Sequence, residues 1–126
     1  MKTKYDVVVI GFGKAGKTLA AKLSKAGKSV ALIEKDADMY GGTCINVGCI
    51  PSKRLITDAQ SSPKGGFPAK EEYYKNTIEE KKKLTAALRK ANYDKLIQAG
   101  VDIIDGTATF TDEHHINVLT GGCCRY

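Results

Sequence analysis

The first third of the chain contains two apolar runs separated by a helical pattern. Residues 5–10 and 29–34 are rich in β-branched and aliphatic side chains and show almost no polar alternation. Such runs are typical of parallel strands that are covered on both faces. Between them, apolar residues recur at four-residue spacing, as on one face of a helix: Ala15, Leu19 and Leu23. Two such strands joined by a helix predict a right-handed βαβ unit.

The remainder of the chain predicts a loop, a long helix and further strands. Residues 61–66 are rich in Ser, Pro and Gly and predict a loop. Residues from about 69 to 91 predict a helix, and residues 101–105 and 115–119 predict strands. The candidate core positions of that helix are Tyr74, Ile78, Leu84 and Leu88. The fold class is therefore α/β, a Rossmann-like domain built on a parallel sheet.

Composition and charge narrow the classes of function. Hydrophobic residues make up 42% of the chain, enough for one small core, and no run approaches the roughly 18 apolar residues of a membrane span. The first ten residues lack a signal-peptide cleavage site, so we expect a cytoplasmic protein. The net charge is +6, but the lysines are spread along a predicted helix without interleaved aromatic residues. This pattern favours a solvated helix face over a nucleic-acid interface.

A glycine-rich turn separates the first strand from the first helix. It reads G-F-G-K-A-G and matches the G-x-G-x-x-G pattern in the strand–turn–helix context that the pattern requires. Gly11 permits the tight turn, Gly13 lets the backbone approach a pyrophosphate, and Gly16 allows close helix–strand packing. The phosphates would contact the N–H groups at the start of the helix, where Lys14 and Ala15 lie.

An acidic residue closes the second strand. Glu34 lies 18 residues beyond Gly16 (34 − 16), where a carboxylate accepts hydrogen bonds from a ribose 2′-hydroxyl. The turn and this acid together predict dinucleotide binding. The same turn also satisfies the P-loop pattern G-x-x-x-x-G-K-T, with Lys17 and Thr18 in the phosphate and magnesium roles. That alternative assigns no role to Glu34 and lacks a good downstream strand ending in a magnesium-binding Asp.

A cysteine pair stands at the start of a further predicted helix. Cys44 and Cys49 have four residues between them and can close a small-ring disulfide. Pro51 falls near the first helical turn, where its missing N–H costs nothing. The helix N-terminus stabilises a thiolate, and Lys53 adds positive charge one turn past Cys49. At least one of the two thiols is therefore expected to have a lowered pKa.

The residues around this pair carry a resemblance. Residues 41–53 read G-G-T-C-I-N-V-G-C-I-P-S-K. This is similar to the redox-disulfide motif of class I pyridine nucleotide-disulfide oxidoreductases, which include glutathione reductase, dihydrolipoyl dehydrogenase and mercuric reductase. The resemblance extends to about residue 119. Within the family, the chain most resembles a mercuric-reductase-like branch that includes the reactive-chlorine-resistance flavoprotein, a Cu(II) reductase.

The resemblance implies a flavoprotein in which electrons pass from NAD(P)H through FAD to a Cys44–Cys49 disulfide. They would then pass to a small-molecule or metal-ion acceptor: a disulfide, a metal ion or an oxidant. Cys49 would be the thiol that faces the flavin, and Cys44 the interchange thiol that meets the substrate. The other implied FAD contacts are the backbone of Gly42 and Thr43, the Lys53 side chain near flavin N5, and the backbone of Ala108 at the adenine.

The family pattern also implies segments that do not follow in this sequence. Relatives continue into a nicotinamide-nucleotide domain and an interface domain that forms a homodimer and supplies a catalytic histidine. We therefore expect an FAD-binding domain over residues 1–119, incomplete at its C-terminal side, with a redox-disulfide helix over 44–58. Residues 120–126 are expected to be a tail produced by truncation or frameshift, and the isolated chain to lack NAD(P)H-driven turnover.

A zinc-binding module is the alternative from another class of function. Two histidines and four cysteines could in principle supply four ligands: Cys44, Cys49, His114, His115, Cys123 and Cys124. A Cys-x4-Cys spacing is loose for zinc, and the zinc hypothesis leaves the glycine turn and Glu34 unexplained. We therefore expect no metal site.

Overall fold

The computed structural model describes residues 4–120. Over these residues the chain forms an α/β domain, as predicted, with a short 3-10 turn at Ala37–Met39. The strands and helices, in chain order, are β1 (Val7–Ile10), α1 (Lys14–Lys25), β2 (Val30–Glu34), α2 (Thr43–Asn46), α3 (Cys49–Gln60), α4 (Phe67–Gln98), β3 (Asp102–Asp105), β4 (Thr107–Phe110) and β5 (Ile116–Leu119).

The parallel sheet has the strand order β1-β2-β3, and β2 lies at its centre. Leu32 pairs with Val9 on one side and with Ile103 on the other. From Val30 to Ile33, β2 is buried throughout, with no residue more than 2% exposed. The βαβ unit predicted from the apolar runs is confirmed, and its second strand is covered on both faces, as a central parallel strand requires.

Strand β1 differs from the prediction, because it is not covered on both faces in the part of the chain that the structure describes. Val8 and Ile10 are 36% and 50% exposed. β1 is an edge strand of the parallel sheet, and the antiparallel β4–β5 hairpin, a separate two-stranded sheet, contacts β2 through β4. A cavity of about 660 Å³ remains between the sheet and the hairpin, lined mainly by apolar side chains, including Val8, Ile33, Ile104, Ile116 and Val118.

Helix α1 packs on the sheet through a face next to the predicted one. Ala20 is fully buried, Leu23 is half-buried and Leu19 is exposed. A side chain at Gly16 would overlap the carbonyl oxygen of Gly11, so the helix and the turn touch through their backbones. Small residues therefore decide which face is buried, because they permit this close approach.

Helix α4 is longer than predicted. It covers 32 residues, Phe67–Gln98, where the pattern predicted about 69 to 91, because Ala99 and Gly100 are the first residues to end it. Tyr74 is exposed, although it was predicted in the core, and the other three candidates are half-buried. The buried positions of α4 are Thr77, Thr85 and Leu96. No helix within residues 4–120 is long and apolar enough to cross a membrane.

The redox-disulfide helix predicted over 44–58 is two helices. α2 ends at Asn46, where Gly48 N donates to Thr43 O at 2.8 Å, and α3 begins at Cys49. The break puts each cysteine near the start of its own helix. The predicted loop at 61–66 and the strands predicted over 101–105 and 115–119 are present, the strands as β3 and β5.

Candidate functional site

The glycine turn leaves space and donors in front of α1. Gly11 takes a positive φ of 99°, and its N–H donates to Ile33 O, which joins the turn to β2. No atom lies within 4 Å of the position that a Cβ on Gly13 would occupy. The first helical hydrogen bond runs from Lys17 N to Gly13 O, so the preceding N–H groups have no helical partner. α1 has no acidic residue in its first turn. This is the geometry that binds a phosphate.

The carboxylate of Glu34 is fixed beside that turn. Its Oε2 accepts a hydrogen bond from Phe12 N at 2.7 Å, and its Oε1 accepts from Lys35 N at 3.0 Å and from Asp36 N at 3.3 Å. A carboxylate offers about four acceptor positions, so one remains for a ribose hydroxyl. Glu34 thus lies where the sequence predicted it, and it also holds the glycine turn in place.

Residues 41–53, called the redox segment below because they carry the cysteine motif, contact the glycine turn directly. Gly41 and Gly42 both take positive φ angles, 90° and 88°. A Cβ on Gly42 would lie 2.8 Å from the Cα of Gly13, which is closer than two such atoms approach. Thr43 follows as the exposed first residue of α2. The glycine pair therefore brings the cysteine-bearing segment against the candidate pyrophosphate site.

The two cysteines lie together at the surface. Cys44 in α2 and Cys49, the first residue of α3, are both exposed and unlinked. A hydrogen bond with Cys49 is the largest cause of a raised pKa at the Cys44 thiol, and burial adds to it. The cationic side chains of Lys14 and Lys53 act in the opposite direction. The expected lowering of a thiol pKa is therefore not found at Cys44 in the dithiol form, although the predicted proximity of the two sulfurs is.

The α3 residues next to Cys49 have the predicted arrangement. Pro51 is buried in the first turn of α3, where it removes no helical hydrogen bond. Lys53 is exposed one turn further along, and its charge favours the Cys44 thiolate. Arg54 forms an ion pair with Asp58 at 2.6 Å on the same helix. Lys53 is therefore the cation of α3 that acts on the cysteine pair.

The P-loop alternative finds no support, because its two key side chains have structural roles. The Nζ of Lys17 donates to Asn92 Oδ1 at 2.6 Å and to Gly41 O at 3.4 Å. The Thr18 hydroxyl donates to Lys14 O at 2.7 Å within α1. A P-loop lysine and threonine would instead lie at the phosphates and the magnesium ion.

An aromatic stack joins the glycine turn to α4, and the sequence analysis missed it. Tyr40 lies between Phe12 and Tyr93, with ring centroids at 4.9 and 5.2 Å. Its hydroxyl donates to Asp105, and burial together with this bond raises the pKa of Tyr40. The detectable signal was an aromatic residue just before the glycine pair, together with polar and aromatic residues at i, i+3 and i+4 on α4: Arg89, Asn92 and Tyr93.

The β3–β4 turn lies at the same end of the sheet. Gly106 N donates to Glu34 O at 2.9 Å, which brings the turn to the end of β2. Ala108 is half-buried on β4 and pairs with Val118. Ala108, which the family resemblance assigns to the adenine, thus lies on a strand that begins beside Glu34, the residue predicted to bind the ribose.

The zinc alternative also finds no support. Within residues 4–120, no three His, Cys, Asp or Glu side chains are grouped so that they could hold a metal ion. His114 and His115 are exposed on the loop between β4 and β5, where His115 Nδ1 lies 2.8 Å from Asp112. Cys123 and Cys124 lie outside the described residues.

Fold and site together define a class of protein. A parallel sheet, a glycine turn at a helix N-terminus and an acid on the next strand form a dinucleotide-binding domain, with a cysteine pair placed against it. A sequence profile of the pyridine nucleotide-disulphide oxidoreductases matches residues 5–121. The chain belongs to this family, whose flavoprotein disulfide reductases use FAD and NAD(P)H.

Individual relatives agree with this assignment. The chain is 47% identical over 116 residues to the probable pyridine nucleotide-disulfide oxidoreductase RclA of Escherichia coli, covering 91% of this chain and 24% of that protein. It is 35% identical to a dihydrolipoyl dehydrogenase of Haloferax volcanii, covering 95% of this chain and 26% of the relative. The solved Cu(II) complex of the HOCl-induced flavoprotein disulfide reductase RclA from E. coli superposes with a TM-score of 0.82 at 45% identity, covering 94% of this chain and 25% of that one. The chain thus spans about a quarter of the length of these relatives.

Proposed function

We propose that this chain forms the FAD-binding and redox-disulfide part of an NAD(P)H-dependent flavoprotein disulfide oxidoreductase. The observation that carries the proposal is the contact between Gly42 and Gly13. It places the Cys44–Cys49 pair beside the turn that would bind the cofactor's pyrophosphate. A dinucleotide bound along the ends of β1 and β2 would therefore have a reducible disulfide within the same site.

The residues present fit an FAD molecule. The open space at Gly13 and the free N–H groups at Lys14 and Ala15 would take the pyrophosphate. Glu34 has an acceptor position left for the ribose. The remaining contacts proposed by family resemblance are the Gly42 and Thr43 backbone, the Cys44 region, the Lys53 side chain and the Ala108 backbone. Bound FAD supplies a two-electron carrier that accepts hydride from NAD(P)H.

The chemistry of this chain would take place at its two sulfurs. In the oxidised form, Cys44 and Cys49 share a disulfide bond. Two electrons break this bond, and two protons complete the two thiols. Cys44, whose thiolate is favoured by Lys14 and Lys53, would then attack or release the acceptor, and Cys49 would face the flavin. Because both cysteines are exposed, the pair is accessible to the flavin and to the acceptor.

The acceptor is proposed only by class. A disulfide, a metal ion or an oxidant would each be reduced by a dithiol of this kind. Among the relatives are a mercuric reductase of Staphylococcus aureus, 34% identical, and the RclA structure solved as a Cu(II) complex. A homodimeric assembly and a cytoplasmic location remain predictions of the family resemblance and of the sequence.

Cofactor binding and disulfide formation test the proposal together. The purified chain should bind FAD, detected by flavin fluorescence and calorimetry, in preference to magnesium-ATP. After mild oxidation, mass mapping should find a Cys44–Cys49 linkage, which Cys44→Ser or Cys49→Ser should abolish. Cys123→Ser is the matched control and should leave the linkage unchanged. Magnesium-dependent ATP binding without FAD binding, or free alkylation of both cysteines under oxidising conditions, would contradict the proposal.

A further inference from the structure

The side chain of one α1 lysine, which belongs to neither the G-x-G-x-x-G pattern nor the cysteine motif, extends from α1 to α4. Lys17 is partly buried, and its Nζ donates to Asn92 Oδ1 at 2.6 Å and to Gly41 O at 3.4 Å. The residues that surround it come from three separate parts of the chain. Because a lysine carries a strongly hydrated charge on a flexible side chain, holding it inward costs entropy and solvation. Its inward position therefore calls for a role.

Asn92 is oriented to receive this lysine. Its Nδ2 donates to Leu88 O at 2.7 Å, which leaves Oδ1 directed at the ammonium group. The Asn92 side chain also packs close to Gly41, since a Cβ on Gly41 would lie 3.4 Å from Asn92 Nδ2. Lys17 and Asn92 thus enclose the first glycine of the redox segment.

Gly41 lies three residues before Cys44 in the sequence. The next residue, Gly42, is the one that lies against Gly13. Any movement of the Gly41 carbonyl would therefore change both the contact with the glycine turn and the start of α2. Lys17 is the only side chain of α1 described as bonding to this glycine pair, within residues 4–120.

Charge adds to this geometry. Burial, the largest influence, lowers the pKa of Lys17, whereas a thiolate at Cys44 acts in the opposite direction because ammonium and thiolate attract each other. The nearby cations Lys95 and Lys14 lower the pKa of Lys17 further. Cys44 also faces Cys49, Lys14 and Lys53. Within residues 4–120, Lys17 differs from Lys14 and Lys53 because hydrogen bonds to Asn92 and Gly41 hold its ammonium group in place.

We propose that Lys17 is a positioning residue for Cys44. Through Asn92 and the Gly41 carbonyl it holds the glycine pair against the turn, and its ammonium group favours the Cys44 thiolate from the side of α1. This inference rests on the proposed function, because it assigns Lys17 a role only if Cys44 is a redox thiol. It concerns a residue that neither the glycine pattern nor the cysteine motif includes.

The experiment measures the reactivity of Cys44 against pH in the reduced full-length chain. Iodoacetamide labelling is followed peptide by peptide, so that Cys44 and Cys49 are timed separately. Lys17→Met keeps the length of the side chain and removes its charge, and Lys17→Arg restores a charge. Lys22→Met, on an exposed position of the same helix, is the matched control. Circular dichroism verifies that each variant is folded.

We expect Lys17→Met to slow Cys44 labelling at neutral pH by about threefold and to move its pH profile upward, as the loss of one nearby charge predicts. Lys17→Arg should recover most of the rate, and Lys22→Met should match the parent chain. An unchanged profile in Lys17→Met, or one that the control reproduces, would overturn the proposal. If Lys17→Met does not fold, Asn92→Ala tests the proposal instead. This variant removes the hydrogen bond that holds the Lys17 ammonium group, so it should also slow the labelling of Cys44.

Failure of the proposed function would look different. A parent chain that neither binds FAD nor forms the Cys44–Cys49 disulfide would refute the redox role of the pair. The dependence of Cys44 labelling on Lys17 would still be measured in that case, because it requires neither cofactor nor disulfide. The two hypotheses can therefore fail separately.

Discussion

The two regions that flank the redox segment are packed very differently. In β2, residues 30–33 are almost completely buried, and they pair on both sides with neighbouring strands. In α4, three of 32 residues are buried, and two of those are threonines. The start of α4 exposes Phe67 at 79% and Tyr74 at 62%. The nucleotide-binding sheet is a packed core, whereas the first half of α4 contributes little to one.

The last turns of α4 differ from its first half, because they contact both the core of the sheet and the redox segment. Leu96 is in the core beside Val30 and Val101. Arg89 donates to Asp38 at 2.8 Å, Asn92 receives Lys17, and Tyr93 stacks on Tyr40. The redox segment therefore takes its position from the sheet on one side and from a short stretch of α4 on the other.

The largest expected effect tests the contrast in packing. Leu32→Ala should lower the free energy of unfolding by about 3 kcal/mol, because it removes a fully buried side chain from the central strand. Leu84→Ala, in the half-buried part of α4, should cost about 1 kcal/mol. Urea unfolding followed by circular dichroism measures both. Equal losses in the two variants would mean that α4 is packed as tightly as the sheet.

The next effect concerns the contact between the redox segment and the glycine turn. Gly42→Ala should weaken FAD binding by about tenfold or more, because its positive φ of 88° disfavours a side chain by about 1–2 kcal/mol and the new Cβ would meet Gly13. Gly66→Ala is the matched control, since its φ of −67° and ψ of 175° suit any residue and its Cβ would make an ordinary 3.8 Å contact. Flavin fluorescence titration compares them. If both variants bind FAD like the parent chain, the Gly42–Gly13 contact does not govern the cofactor site.

The smallest effect concerns the aromatic stack. Tyr40→Phe keeps the ring but removes the bond to Asp105, and should cost about 1 kcal/mol at neutral pH. Because the pKa of Tyr40 is raised in the folded state, its contribution is fully present below pH 10 and is lost as the unfolded chain ionises above it. The parent chain should therefore lose stability above pH 10 more steeply than Tyr40→Phe.

Denaturant unfolding at pH 8 and pH 11 measures this difference. Some slope should persist in the variant, because the pKa of Tyr5 is also raised, by burial and by its bond to Asp102. Tyr74→Phe, at an exposed position, is the matched control and should behave as the parent chain does. An identical alkaline slope in the parent chain and in Tyr40→Phe would show that the stack does not anchor the redox segment through Asp105.

The nucleotide turn, Glu34 and the cysteine motif were predictable from the sequence because their requirements are local. Gly16 must lack a side chain for α1 to touch the turn, and a strand ending in an acid must follow a helix of this length. These constraints act within about 25 residues of chain, so a linear pattern records them. The same holds for the central strand, whose unbroken apolar run reports burial on both faces.

Only the tertiary structure decided which distant side chains support the site. Lys17 and Asn92 are 75 residues apart, and Tyr40 meets Asp105 across 65 residues. The exposure of β1 depends on where the β4–β5 hairpin lies, and the break before Cys49 depends on hydrogen bonds that Thr43 O accepts. Such contacts leave no periodic pattern, because each requires one suitable side chain at the place where two elements meet. By itself the sequence determined the fold class and the position of the cysteine pair, whereas the folded chain determined what holds those cysteines against the glycine turn.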